Sequence, residues 1–69
     1  MSVSIIEGLQ YAEMNLENVK LLGLAVLPVA QAQLHNAVTL LEKGYDIDDE
    51  VEPLLEKYGD VEAVPEKQG

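Results

Sequence analysis

Residues 21–28 read Leu21-Leu22-Gly23-Leu24-Ala25-Val26-Leu27-Pro28, and the architecture turns on whether the chain reverses there. Pro28 has no N–H to give the carbonyl of Leu24, and its ring disfavours helical geometry at Leu27. With Gly23 just upstream, the stretch predicts a bend between about Gly23 and Leu27, with Pro28 in the first turn of a second helix. One long helix kinked at Pro28 is the competing reading. The same stretch opens a run, Leu21 to Leu41, that contains no charged residue and is long enough to span a bilayer. Pro28, Gln31, Gln33, His35, Asn36 and Thr39 interrupt that run. Most of these polar groups fall on one helical face, and a lone span would turn their amides and imidazole toward lipid. The flanks carry no basic cluster to set an orientation. The run therefore reads as buried core or interface, with membrane insertion not expected.

Upstream, Ser4-Ile5-Ile6-Glu7 has the form of a capping box, the Ser4 hydroxyl on the Glu7 amide and the Glu7 carboxylate reaching back. Ile5, Leu9, Ala12, Leu16 and Val19 then recur at spacings of four and three, one apolar stripe on a helix over about 4–22. Tyr11, Met14 and Leu21 fall roughly behind that stripe. A helix apolar on two sides is usually held between two neighbours. In a chain this short, the second neighbour is expected to be another copy.

Downstream, a second helix is predicted over about 28–43. Its core face is read as Ala30, Leu34, Ala37, Val38 and Leu41; its polar side as His35, Asn36, Thr39, Glu42 and Lys43. Gly44 should end it in the left-handed position, with Tyr45 as the apolar clasp. Asp46-Ile47-Asp48-Asp49-Glu50 reads as a turn into a short third helix over about 49–58, its acids favoured by the unpaired amides of a helix start. Val51, Leu54, Leu55 and Tyr58 make its inner face. The last residues, 60–69, read as an acidic disordered tail beyond a single domain, 1–59. The expected fold class is all-α: two principal helices and a short third in a small helical bundle, oligomeric. Its core is expected to be Ile5, Leu9, Leu16, Val19, Leu34, Val38, Leu41, Val51, Leu54 and Leu55. The subunit or partner contact is expected at Tyr11, Met14, Leu21, Leu24, Val26 and Leu27.

Composition bounds the rest. A domain the size of this 69-residue chain buries only about 60% of the surface its unfolded chain exposes and is marginal alone. With no cysteine, disulfides and thiolate zinc sites are excluded, which leaves self-association as the common remaining source of stability. Trp and Phe are absent, so the core must be aliphatic, a composition that suits helix packing. No basic start precedes the first apolar residues, and the cytoplasm is the expected location. The net charge is −9, and residues 42–69 hold ten of the thirteen acids against three lysines, a net of −7. Such a chain is repelled by phosphate backbones, so direct nucleic-acid binding is not expected.

Catalysis finds little support. A nucleophile needs an adjacent base, and the two serines sit at the N-terminus, far in sequence from the single histidine, His35. The alternation Asp46, Asp48, Glu50, Glu52 resembles a calcium loop only faintly: its sixth position, Val51, should be glycine and its twelfth, Lys57, a carboxylate. No glycine-rich phosphate loop occurs. No cofactor, metal or catalytic residue is therefore expected. The leading expectation is a non-enzymatic, homo-oligomeric interaction or assembly module, similar in size and composition to accessory proteins of phages and mobile elements. The alternative is an acidic inhibitor or antitoxin-like protein that offers Asp46, Asp48, Asp49, Glu50 and Glu52 to a basic partner surface, binding fast and salt-sensitively. A small membrane-active protein is the third reading.

Overall fold

The computed structural model describes residues 3–51 and 61–67. Helix α1 spans Ile5–Leu22 and helix α2 spans Leu27–Glu42, with a short 3-10 turn, Leu24–Val26, between them. Among the described residues there is no strand, only an isolated antiparallel bridge between Ser4 and Glu50. The protein is all-α.

The start of α1 follows from its sequence. The Ser4 hydroxyl accepts from the Glu7 amide at 3.3 Å and donates to the Glu7 carboxylate at 3.1 Å, so the carboxylate reaches back to the capping hydroxyl. Two further amides of the first turn are met from outside the helix. Ile5 N–H donates to the Asp49 carbonyl at 3.1 Å and Ile6 N–H to the Ile47 carbonyl at 2.8 Å. The segment after α2 thus satisfies donors that a helix start leaves open.

The chain reverses at Gly23. Its φ of 83° with ψ of −177° lies in a region essentially restricted to glycine, and its N–H closes α1 on the Val19 carbonyl. Pro28 then sits in the first turn of α2, where its missing N–H costs nothing. The two helices pair as an antiparallel hairpin, Asn15 of α1 bonding Gln33 of α2, and the single kinked helix does not occur. At the far end, Gly44 has φ 98°. Its N–H bonds the Leu41 carbonyl and the Tyr45 N–H bonds the Leu40 carbonyl, which is the complete Schellman stop. Tyr45 packs on the core beside it, as the apolar clasp should.

The core lies at this closed end. Ile5, Ala37, Leu40, Val51 and Val61 form one buried cluster, with Leu9, Tyr45 and Val64 packed against it. Three expectations need correction. The acidic tail is not free over 61–67: Val61–Ala63 makes a 3-10 turn, Val61 is buried, and Lys67 N–H donates to the Lys43 carbonyl. A single valine with a second three residues on, Val64, is enough apolar surface to dock a strap on α2. The third helix does not begin at Asp49, because Asp49–Val51 run alongside the N-terminus of α1 and give their hydrogen bonds to it. The rest of that predicted helix, with Leu54, Leu55 and Glu52, lies outside the described residues.

The third correction concerns which faces meet. The buried residues of the two helices are Ile5, Gly8 and Ala12 of α1 and Ala30, Gln33, Asn36, Ala37 and Leu40 of α2. Leu16, Leu34, Val38 and Leu41, expected in the core, are 45%, 43%, 42% and 37% exposed. At about 100° per residue, the aliphatic stripe of α2 points roughly a third of a turn away from the face that packs. Small residues let the two backbones approach closely, and the Asn15–Gln33 bond at 2.8 Å meets the polar groups caught between them. Asn36, read as part of the polar side, is buried with them. Val19 is half-buried, and Ile5 and Val51 are in the core as expected.

Candidate functional site

The outer surface of the hairpin holds most of the large apolar side chains. Among the described residues, Ile6, Tyr11, Met14, Leu16, Leu21, Leu22, Leu24, Leu34, Val38, Leu41 and Ile47 are exposed. Four of the six residues expected at a subunit contact belong to this set: Tyr11, Met14, Leu21 and Leu24. The other two, Val26 and Leu27, are half-buried at the turn. Leu21 and Leu24 stand out at 84% and 74% exposure, one on each side of Gly23. The reversal leaves Leu21 in the last turn of α1 and Leu24 at the start of the 3-10 turn, both exposed at the tip. A local rule made this tip: the chain needs an extended left-handed residue to turn, and leucines happen to flank it.

A second apolar strip, missed by the sequence reading as a surface, runs along α2. Leu27, Leu34, Val38 and Leu41 recur at heptad spacing, with Gln31 at the remaining position. Its helical neighbours on the side away from α1 are His35 and Glu42, both exposed. His35 Nε2 lies 3.0 Å from a Glu62 carboxylate oxygen, so the histidine ties α2 to the strap. Lys43 does the same work, donating from Nζ to the carbonyls of Glu62 at 3.1 Å and Val64 at 2.6 Å. Together these contacts hold the strap on one side of α2 and leave the strip uncovered. The signal that could have found the strip is the absence of charge from Leu21 to Leu41, which leaves α2 without a charged face until Glu42.

The acidic turn is the third surface. Asp46, Asp48 and Glu50 are exposed and Asp49 is half-buried. The carboxylates of Asp46, Asp48 and Asp49 lie within 4.8 Å of one another. The positive charge among them is Lys67, whose Nζ is 2.5 Å from Asp49 and 3.6 Å from Asp46. The Asp46 N–H also donates to the Asp49 carboxylate at 2.7 Å. The Lys67 bond first, and that backbone N–H second, hold the Asp49 carboxyl below its usual range, and the Asp49 bond holds the Lys67 ammonium above its own. This cluster is an internal clip: the strap's lysine closes over the turn that caps α1. Lys67 also lies 5.9 Å from the Tyr45 ring centroid. Sequence reasoning placed Lys67 in a free tail and so missed it.

The run Leu24–Glu42 is apolar and long enough to cross a membrane by length and composition, and 28% of its most apolar window is buried. Comparison with known proteins returns nothing similar: no family model fits the chain, and no curated protein or solved structure matches it. The functional reading therefore rests on the surfaces themselves.

Proposed function

We propose that this chain is a small, non-enzymatic interaction module that works as a homo-oligomer. One observation carries the reading: the helices bury alanine, asparagine and glutamine beside Ile5 and Leu40 and leave Leu16, Leu21, Leu22, Leu24, Leu34 and Leu41 exposed. Soluble monomers rarely expose contiguous apolar patches beyond a few hundred Å², and larger ones mark contact sites. Leu16, Leu34, Val38, Leu41 and the Leu21–Leu24 tip are such surface; burying what remains exposed of each half-exposed side chain would be worth about 1 kcal/mol, and more at Leu21 and Leu24. A 69-residue chain with so compact a core gains stability in this way. The cytoplasm is the compartment that fits this reading.

The test is solution mass by light scattering in detergent-free buffer at two salt concentrations. A discrete oligomer at both salts is expected. A monomer at both would refute the assembly reading. A second reading, an acidic inhibitor of a basic partner, draws on the exposed Asp46, Asp48 and Glu50. It requires a monomer whose partner is released steeply as salt rises, whereas an apolar assembly is indifferent to salt.

A further inference from the structure

Asp49 serves two ends of the chain at once. Its carboxylate accepts from Lys67 Nζ at 2.5 Å and from the Asp46 N–H at 2.7 Å, while its carbonyl accepts from the Ile5 N–H at 3.1 Å. Two residues earlier, the Ile47 carbonyl takes the Ile6 N–H at 2.8 Å; two residues later, the Val51 N–H donates to the Val3 carbonyl at 3.3 Å. The Ser4 hydroxyl serves Glu7 and the Ser4 carbonyl serves Gly8, so the amides of Ile5 and Ile6 depend on this turn for their acceptors. A helix start leaves such donors open unless something outside the helix meets them.

The turn holds its shape against its own charge. The carboxylates of Asp46, Asp48 and Asp49 lie within 4.8 Å of one another, a spacing at which like charges repel. The Lys67 ammonium stands against two of them, Asp49 and, at 3.6 Å, Asp46. It reaches them because residues 61–67 are laid along α2. Val61 is buried, the Tyr45 hydroxyl donates to the Pro65 carbonyl at 3.2 Å, and the Lys67 N–H donates to the Lys43 carbonyl at 3.0 Å. A docked strap thus brings a cation to the turn, and the turn so neutralised caps α1. Without the ammonium, opening the turn is what relieves the three aspartates, and Ile5 and Ile6 then lose their acceptors.

We propose that the strap is an ionic latch on the start of α1: seated on Asp46 and Asp49, Lys67 keeps the turn closed over Ile5 and Ile6, and screening or removing its charge lets turn and helix start open together. The hairpin is not part of the moving unit. The Asn15–Gln33 bond, the Gly23 reversal and the Gly44 stop involve no strap residue. The latch is built from accessible groups, with the side chains of Lys67 and Asp46 35% and 75% exposed. The reach of charge falls from about 10 Å in 0.1 M salt to about 3 Å in 1 M, so an exposed pair weakens where a buried one would hold. Exposed pairs contribute small increments, which suits a contact that opens locally while the rest of the fold stays shut. The latch works in the same way in one copy or several, and so does not depend on the assembly reading.

Native-state amide hydrogen exchange on the full chain, read residue by residue by NMR, tests the latch. Exchange at Ile5 and Ile6 is measured relative to Ala37 in the middle of α2, in about 0.02 M and about 1 M sodium chloride. The parent is compared with Lys67→Gln, with Lys67→Arg, and with Glu66→Gln, which removes an exposed charge one residue away. In low salt, Lys67→Gln should speed exchange at Ile5 and Ile6 by about two- to five-fold, the range that exposed ion pairs give. Lys67→Arg should keep the parent's protection, and Glu66→Gln should leave it unchanged. In high salt the parent should rise to meet Lys67→Gln, because screening does to the ion pair what the substitution does. A parent whose Ile5 and Ile6 rates ignore salt would overturn the latch, as would a Lys67→Gln that behaves like Glu66→Gln. Equal acceleration at Ala37 would mean that strap, turn and hairpin open as one unit, which also overturns it. Should Lys67→Gln fail to fold, the parent's own salt series still decides.

Discussion

Replacing Asn15 with leucine tests the least ordinary feature of the hairpin, a neutral amide pair set into the helix contact. Asn15 Nδ2 donates to Gln33 Oε1 at 2.8 Å, and Gln33 is 9% exposed. The bond itself nets about 1 kcal/mol, as neutral bonds do once water is accounted for. The larger effect is the acceptor left behind. A buried carbonyl deprived of its donor costs about 1–3 kcal/mol, and the half-buried position of Asn15 places the expected loss toward the middle of that range, about 2 kcal/mol. Gln33→Leu should cost about 1–2 kcal/mol for the reciprocal reason. The double variant Asn15→Leu/Gln33→Leu removes both partners and restores an apolar contact, so it should return to within about 1 kcal/mol of the parent. Urea unfolding followed at 222 nm, at one fixed protein concentration, gives the three free energies. A domain of this length is stable by only about 3–10 kcal/mol, so the differences are large on its scale. Single losses that simply add in the double variant would refute the argument, because they would mean that the two amides do not depend on each other.

Other perturbations follow from the geometry. Gly23→Ala should destabilise by about 1–3 kcal/mol, measured by thermal melting; its Cβ would meet nothing within 4 Å, so the loss is all backbone, and an unchanged melting temperature would contradict the left-handed reversal. Val61→Ala removes two buried carbons and the packing of the strap, a loss of about 2 kcal/mol in urea; no loss would return residues 61–67 to the free tail that the sequence suggests. Lys67→Gln should raise the Asp49 titration midpoint toward its usual 3.8, read by carboxyl NMR. The linked stability has a definite sign: with Asp49 depressed, its contribution is full above that value and fades as pH falls through the lowered one, whereas the contribution of the raised Lys67 is full below 10.5 and fades above. A midpoint indifferent to Lys67 would remove the clip.

What the sequence made legible was local. Ser4 with Glu7, Gly23 with Pro28, and Gly44 with Tyr45 are signals that act over a few residues, and each appears in the structure where those residues put it. The orientation of α2 was not legible, because periodicity finds the greasiest stripe and takes it for the inner one. Leu34, Val38 and Leu41 formed that stripe. The face that packs was chosen by pairwise facts: Ala30 and Ala37 admit a close neighbour, and Gln33 has Asn15 opposite. No reading of one helix at a time contains such facts. The strap was hidden for a different reason, since Val61 and Val64 are two apolar residues among acids and look like a solvated tail until α2 is there to receive them.

A helix contact made of alanines and amides also has a calorimetric consequence. The heat capacity of unfolding grows with apolar area exposed and falls with polar area exposed, and ordinary domains gain about 12–15 cal/mol/K per residue. Unfolding exposes the buried amides of Gln33 and Asn36 along with the aliphatic core, so an isolated copy should fall toward the low end of that range. Its stability would then vary little with temperature, in a low, broad dome with a gradual melt. Joining the outer leucines of two copies adds the missing apolar area, steepens the curve and makes the melting temperature climb with concentration. In the proposed assembly each copy would supply the shape, and the pair the sharpness of the transition.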